Sequence, residues 1–379
     1  MTTSTSAATG TAGTAGATDA TGAAGAREKP SAAARDGDRA VGWWLASVCG
    51  MIFAMAVIGA ITRLTESGLS IMEWAPVKGV LPPLSQAEWE RLFALYRTIP
   101  EYQRVNAGMS LMEFKTIFWW EWIHRFWGRL IGIVFAAGFV WFLLRGRLHR
   151  GLWPHLAVLF ALGGLQGFLG WFMVASGFGD RTDVSQYRLM LHLGMALAIY
   201  AYGLWVAIGL LAPRPSASHG ARPLYRGLQG FAALVALTVL AGALVAGTNA
   251  GLAYNTFPLM EGAFIPANYA PTQPLWLNAF ENPAAIQFNH RLLAEFTVVA
   301  AIGLWVWSRR VPLATTARRA FDALALVAAA QLGLGIWTLL AAVPVWLGAA
   351  HQAGAIVMLS VTIWTLHRVR STRPAEAAL

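Results

Sequence analysis

Four histidines of this chain are placed where they could bind a metal. His124, His192, His290 and His351 each lie near the start of a long apolar segment, where an ionisable side chain is costly to bury and usually serves a function. Two neutral imidazoles that face each other can ligate the iron of a haem. Glycines and alanines beside His192 and His351 leave room for a flat ring, so the pattern favours two haem sites.

Two other interpretations of these histidines stay open. Each histidine could be a hydrogen-bonded packing residue between helices. A catalytic zinc site fits less well, because it usually gathers its ligands into a compact cluster on fewer helices.

An acid accompanies only one of the histidines. Glu121 stands three residues before His124, and residues three apart share one face of a helix. Gln287 takes the same place before His290. One half of the chain therefore keeps a carboxylate, which predicts proton-coupled chemistry in that half and a passive haem in the other. The alternative is a glutamate that simply faces water.

Three arginines lie close to the same histidines. Arg125, Arg129 and Arg291 could bind haem propionates through charge-assisted hydrogen bonds, or could extend towards the membrane surface. Arg291 and Glu295 are four residues apart on one helix, and we expect them to pair.

Membrane helices must position these residues. The chain has 379 residues, of which 57% are hydrophobic and 12% charged, against about 25% charged in a soluble domain. A bilayer core of about 30 Å requires about 20 helical residues. The sequence therefore predicts an all-α integral membrane protein with eight transmembrane helices at residues 43–62, 122–144, 152–176, 189–212, 227–248, 284–307, 320–342 and 345–366.

The basic residues predict the orientation. Arginines follow the second, fourth and sixth helices, whereas the link 249–283 contains no Lys or Arg. Basic residues mark cytoplasmic loops, so both termini are expected in the cytoplasm and all four histidines near the outer face. The net charge of +10 is then a topology signal and requires no nucleic acid. The basic residues of the loop 63–121 do not contradict this, because long loops cross largely regardless of charge.

Matched motifs indicate an internal duplication into two four-helix bundles. Residues 59–61 parallel residues 242–244, and Gly167 with Trp171 parallels Gly333 with Trp337. Parallel repeats of this kind are related by an axis along the membrane normal. We expect a disordered tail at 1–40, an N-terminal half at 41–212 that includes the outer loop 63–121, a cytoplasmic linker at 213–226, a C-terminal half at 227–366 and a cytoplasmic tail at 367–379.

Three motifs carry a resemblance to a known family. They are residues 59–70 (GAITRLTESGLS), residues 113–125 (EFKTIFWWEWIHR) and residues 289–291 (NHR). The chain resembles the haem A synthase family of bacterial and mitochondrial membranes over roughly residues 41–366. Some bacterial members have a cysteine pair in the outer loop. Cys49 is the single cysteine here, so the sequence is similar to the proteobacterial and mitochondrial subtype, without redox regulation through such a pair.

The resemblance implies an oxidoreductase that supplies haem A for cytochrome oxidase. Its members oxidise the C8 methyl group of haem O to a formyl group by successive hydroxylations. The match implies that His290 and His351 hold a haem B cofactor, with Arg291 beside it, and that His124 and His192 face the iron of the substrate haem O. Glu121 matches an acid implicated in catalysis. Hydroxylation needs an iron position that can open, so one histidine of the N-terminal pair is expected to be displaced.

The resemblance also implies a setting. We expect a multi-pass protein of the bacterial inner membrane, in contact with lipid, with its haem sites towards the periplasm. A haem O synthase would deliver the substrate, and an unidentified donor would exchange electrons. The oligomeric state is left open, including a homo-oligomer.

Two other functions compete. A di-haem electron-transfer cytochrome would also use paired histidines, although it does not account for the difference between Glu121 and Gln287. A transporter with parallel repeats would place polar residues near the bilayer midplane, where this sequence is mostly apolar.

Overall fold

The protein folds into a bundle of long helices. A computed structural model describes residues 32–75, 78–212 and 221–369. Within these residues eight helices are long and apolar enough to cross a membrane, and none forms a strand, which confirms the predicted all-α membrane fold with eight spans. The α-helices are α1 (Ala32–Leu64), α2 (Gln86–Tyr96), α3 (Pro100–Arg104), α4 (Leu111–Leu144), α5 (Trp153–Val174), α6 (Gln186–Leu211), α7 (Ala221–Gly247), α8 (Asn278–Glu281), α9 (Pro283–Ser308), α10 (Thr315–Leu340) and α11 (Val345–Val369).

The helix that carries Glu121 and His124 begins earlier than hydropathy predicts. Helix α4 starts at Leu111, eleven residues before the predicted span at 122. Ser110 and Glu113 form a capping box, in which each side chain bonds to the backbone of the other residue. The extra turns lie in the outer loop and place Glu121 well inside the helix.

Helices also occupy parts of the predicted tail and linker. Helix α1 begins at Ala32, so the last nine residues of the predicted disordered tail 1–40 are helical, and residues 1–31 lie outside the described part of the chain. Helix α7 begins at Ala221, so residues 221–226 of the predicted linker continue a membrane helix. Residues 213–220 and 370–379 of the linker and the C-terminal tail are not among the described residues.

Each half has its own packed core. In the N-terminal half Leu45, Phe142 and Leu156 pack together from α1, α4 and α5. In the C-terminal half Phe231, Phe321 and related side chains pack from α7, α9, α10 and α11. Both cores lie towards the ends of the helices away from the four histidines.

The two halves meet along three pairs of helices. Helix α1 packs on α11, α6 packs on α7, and α6 also packs on α11. Polar contacts also cross this boundary: the Gln352 amide donates to the Ala56 carbonyl at 3.1 Å, and the hydroxyls of Tyr200 and Ser360 lie 2.7 Å apart. The halves therefore form one continuous bundle.

The outer loop between α1 and α4 is ordered by an aromatic cluster. Helix α2 and the turn that leads into α3 bring Trp89, Tyr96 and Ile99 against Phe114 and Phe118 of α4. The rings of Trp89 and Phe118 meet edge to face with centroids 4.8 Å apart. The loop is thus fixed to the same helix that carries Glu121.

Candidate functional site

Each of the four histidines lies against a glycine of a neighbouring helix. A Cβ atom added to any of these glycines would approach Cε1 of the imidazole to 2.8–3.1 Å, which is tighter than ordinary contact. Absence of a side chain at these positions therefore lets each ring lie close to the next helix. The pairs are Gly59 with His124, Gly170 with His192, Gly242 with His290, and Gly335 with His351.

The two histidines of the C-terminal half face each other. The ring centroids of His290 and His351 lie 6.5 Å apart, with the ring planes at 89°. Two imidazoles on opposite sides of one metal ion, each with a metal–nitrogen bond of about 2 Å, have centroids about 6 Å apart. The observed separation therefore fits two axial ligands of one iron.

The histidines of the N-terminal half also approach each other. His124 of α4 lies close enough to His192 of α6 for their charges to interact. Both rings are half-buried, as are His290 and His351, although all four lie on helices inside the bundle.

A porphyrin fits this donor set better than a bare metal ion does. Among the described residues no group of three or more His, Cys, Asp or Glu side chains could hold a metal ion. Two facing imidazoles leave the remaining positions of an iron to be supplied by another group, and a porphyrin supplies four nitrogens in one plane. The zinc interpretation of these histidines receives no support from the geometry.

Two glutamines contact the histidines of α6 and α11. The amide nitrogen of Gln166 donates to the carbonyl oxygen of His192 at 3.0 Å and lies 3.1 Å from Nδ1 and 3.4 Å from Nε2 of the same residue. Gln331 repeats the first two of these contacts on His351, with distances of 2.9 Å and 3.1 Å. Both rings are therefore held by a side chain from the preceding helix.

The histidines of α4 and α9 have different partners. Nδ1 of His290 lies 3.1 Å from the carbonyl oxygen of Thr238, which can only accept a hydrogen bond, so Nδ1 donates. Nε2 is then free to bind a metal. Nδ1 of His124 is buried and has no hydrogen-bond partner within the described residues. Met55 stands where Thr238 stands in the other half, 183 residues earlier.

Glu121 is enclosed by hydrogen-bond donors. Its Oε2 accepts from the Ser70 hydroxyl at 2.8 Å and from the Ile71 backbone N–H at 2.7 Å, and its Oε1 accepts from Arg125 at 2.5 Å. The residue is 2% exposed. The alternative of a water-facing glutamate is therefore wrong: three donors, one of them cationic, hold a buried carboxylate.

Gln287 takes the place of Glu121 in the C-terminal half, is equally buried and carries no charge. Its amide donates to the Ala250 carbonyl at 2.7 Å, and its Oε1 accepts from Arg291 at 2.8 Å. Ala253 replaces Ser70 at the equivalent loop position. The acid and the hydroxyl beside it are thus both confined to the N-terminal half.

Arg125 and Arg291 fasten the outer loops to the helices. Each guanidinium donates to two loop carbonyls, so neither extends freely towards the membrane surface. The accepting oxygens are those of Ile71 at 2.7 Å and Glu73 at 2.9 Å for Arg125, and of Tyr254 at 2.7 Å and Thr256 at 2.8 Å for Arg291. Tyr254 follows Ile71 by 183 positions, as Thr256 follows Glu73, so the two arginines bind corresponding positions of the two loops.

The expected pair between Arg291 and Glu295 is wrong. No ion pair joins these two side chains within the described residues, because the Arg291 guanidinium turns back to Gln287 and the loop carbonyls. Arg129 takes the place of Glu295 in the N-terminal half, and its guanidinium donates to the carbonyls of Ala75 at 3.1 Å and Gly79 at 3.4 Å.

The sequence analysis did not identify Gln166 and Gln331 as contacts of the histidines. It also aligned the third and seventh membrane helices one residue away from the alignment that these contacts give. Gly170 and Gly335 contact the histidines, and each follows its glutamine by four residues. The predicted match of Gly167 with Gly333 is offset by one from this pairing. Glutamines inside apolar spans, at equal distances from a glycine, were the signal that could have identified Gln166 and Gln331.

Known proteins share almost the whole chain. The model of the COX15-CtaA family, described as cytochrome oxidase assembly protein, matches residues 42–363. A heme A synthase of Rhodospirillum centenum is 55% identical over 340 residues, which cover 90% of each protein. Heme A synthases of Parvibaculum lavamentivorans and Nitrosospira multiformis are 49% and 50% identical, over 87% and 86% of this chain and 94% and 92% of their own lengths.

Proposed function

The chain belongs to the COX15-CtaA family of cytochrome oxidase assembly proteins, and we propose that it is a haem A synthase. It oxidises the C8 methyl group of haem O to a formyl group by successive hydroxylations, as an oxidoreductase. The product, haem A, serves cytochrome oxidase. The observation that carries this proposal is the difference between two otherwise similar histidine pairs, of which only the N-terminal pair has a buried carboxylate beside it.

The C-terminal half holds the cofactor, haem B. His290 and His351 are its ligands, which is supported by their facing rings and by the Thr238 and Gln331 contacts that orient them. Arg291 stabilises this site by fixing the loop above it to α9. Bound haem B supplies one-electron redox chemistry.

The N-terminal half holds the substrate. His124 and His192 face the iron of haem O, and Glu121 lies on the same helix as His124. Each oxidation of the methyl group moves protons as well as electrons, and Glu121 is the ionisable group available to accept a proton at its carboxylate oxygens. Ser70, Ile71 and Arg125 orient that carboxylate. The aromatic loop cluster on α4 excludes water from it.

Haem O enters from the lipid between α4 and α5. These two helices contact each other only sparsely, whereas their counterparts α9 and α10 pack closely. A loosely packed pair of helices in the substrate half suits a hydrophobic substrate delivered by a haem O synthase. The protein works in the bacterial inner membrane with its haem sites towards the periplasm, and an electron donor completes the reaction.

Porphyrin analysis by chromatography tests this function. Purified wild-type protein is compared with His290→Ala and His124→Ala variants. We expect haem B with haem O or haem A in the wild type, and selective loss of haem B from His290→Ala. Haem B alone, reduced by about half in each variant, would identify a symmetric di-haem electron carrier and contradict the synthase.

A further inference from the structure

The four histidines differ in what holds the second ring nitrogen. Three of them have a partner at Nδ1, and His124 has none within the described residues. We propose that His124 is the ligand that the substrate iron releases during turnover, and that His192, held by Gln166, is the ligand that stays. This assignment rests on the proposed function and names which histidine of the pair opens the site.

A hydrogen bond donated by its second ring nitrogen strengthens an imidazole as a metal ligand. It fixes the orientation of the ring and raises its basicity, and loss of such a partner typically weakens metal binding about 10-fold to 100-fold. Between two ligands of one iron, the imidazole without such a partner is therefore the one that dissociates more readily.

Gln166 can hold His192 in the form that binds iron. Ligation through Nε2 places the ring proton on Nδ1. An amide offers both N–H donors and a carbonyl acceptor, so it can pair with Nδ1 with or without that proton. Oε1 of Gln166 is buried and has no hydrogen-bond partner within the described residues. Rotation of the amide would direct this oxygen to the Nδ1–H of a ligated His192, in exchange for the bond that the amide nitrogen donates to the His192 carbonyl.

His124 lacks the support that its counterpart has. Nδ1 of His290 donates to the Thr238 carbonyl, whereas Nδ1 of His124 is buried without a partner. Both rings contact an equivalent glycine, Gly59 or Gly242, so this contact is the same in the two halves. The two histidines differ in the hydrogen bond at Nδ1. Its presence favours retention of His290 as a ligand, and its absence favours release of His124.

His124, the ligand proposed to be released, lies on the same helix as Glu121. Glu121 precedes His124 by three residues on α4, whereas His192 comes from α6. Departure of the α4 imidazole therefore opens the iron beside the carboxylate. Departure of the α6 imidazole would open the opposite face of the ring.

Haem retention and spin state in the two single variants test the assignment. Protein is purified from cells that also make haem O, and its haems are separated by chromatography and examined in the ferric state by electron paramagnetic resonance. We expect His124→Ala to keep haem O in a high-spin state that added imidazole converts to low spin. We expect His192→Ala to lose haem O at least about tenfold. The reverse pattern, or equal loss from both variants, would overturn the assignment.

Gln166→Leu and Gln331→Leu form a matched pair. We expect Gln166→Leu to reduce haem O retention about tenfold with haem B unchanged, and Gln331→Leu to reduce haem B instead. Gln166→Glu, which can accept from Nδ1–H, should restore retention. An unchanged haem O content in Gln166→Leu would contradict the anchoring of His192.

Haem B content shows that each N-terminal variant has folded. If the wild-type protein forms haem A but the variants show the reversed pattern, the assignment of His124 as the released ligand is wrong and the synthase function stands. If the wild-type protein contains neither haem O nor haem A, both the assignment and the synthase function are wrong.

Discussion

The Arg125 guanidinium lies 2.5 Å from Oε1 of Glu121, one helical turn away on α4. The pair is almost completely buried, and the same guanidinium also donates to two carbonyls of the outer loop. Screening by water and salt is weak at such a position, and removal of one partner leaves an uncompensated charge. The loop and the helix therefore set the position of this carboxylate together.

Replacement of Glu121 should abolish synthesis and spare the cofactor. Glu121→Gln removes the proton acceptor, and we expect haem A formation to fall about 10²-fold to 10⁴-fold, the usual contribution of a general acid or base. Haem A and haem O are quantified by chromatography in membranes. Haem B content, which Glu121→Gln should leave unchanged, is the control for folding. Unchanged haem A formation by Glu121→Gln would remove the catalytic role.

The hydroxyl of Ser70 should matter through Glu121. Ser70→Ala removes one of three donors to the carboxylate, and a hydrogen bond to a charged group contributes about 1.5–3 kcal/mol. We expect at least a tenfold slower conversion of haem O, with haem B content unchanged. Initial rates of haem A appearance provide the measurement. A rate equal to that of the wild type would show that the other two donors, the Ile71 backbone N–H and the Arg125 guanidinium, are enough to orient the carboxylate.

Substitution of Gly335, which contacts His351, should reduce haem B retention, whereas substitution of Gly333 should not. A Cβ at Gly335 would lie 2.8 Å from Cε1 of His351, whereas one at Gly333 would meet nothing within 4 Å. We expect Gly335→Ala to displace the ring and lose most of the haem B, and Gly333→Ala to retain it. Haem B per protein is measured by the pyridine haemochrome spectrum. Equal retention in the two variants would contradict the close seating of the ring.

Glu101 should make stability depend on pH. This loop residue of α3 is buried, and burial raises the pKa of its carboxyl to about 8, with the negative charges of Glu121, Asp183 and Glu66 adding to the effect. The folded protein therefore holds a proton that the unfolded chain releases near pH 4.5, and stability falls as pH rises between these values and levels off above about 8.

Thermal unfolding in detergent between pH 5 and 8 measures this dependence. Glu101→Gln should flatten it, because the amide does not ionise. Glu88→Gln, a change at an exposed glutamate of α2, should keep the wild-type slope, since Arg91 lowers the pKa of Glu88 below this range. A slope that survives in Glu101→Gln would assign the pH dependence to another group.

Length and hydropathy predicted the eight spans because a membrane helix must be apolar along a fixed length. They misplaced the start of α4, since its first turns lie outside the apolar stretch and depend on the capping box of Ser110 and Glu113. The S-x-x-E pattern of that box was present in the sequence and indicates a helix start.

Helix spacing correctly put Glu121 beside His124 on one helix, but it could not predict what encloses the acid. The donors from Ser70 and Ile71 lie about fifty residues away and reach Glu121 through the fold of the loop. The Arg291 prediction failed for the same reason: local spacing favoured Glu295, and loop carbonyls from a distant segment bind the guanidinium instead.

The contact between the halves has the form of an isologous dimer interface. Helix α1 meets α11 as α7 meets α6, which is the pattern of two identical subunits about a two-fold axis. Each histidine pair lies wholly within one half, on α4 and α6 or on α9 and α11. A single polypeptide with this architecture can acquire an acid at one pair without placing it at the other, which a homodimer encoded by one gene cannot do.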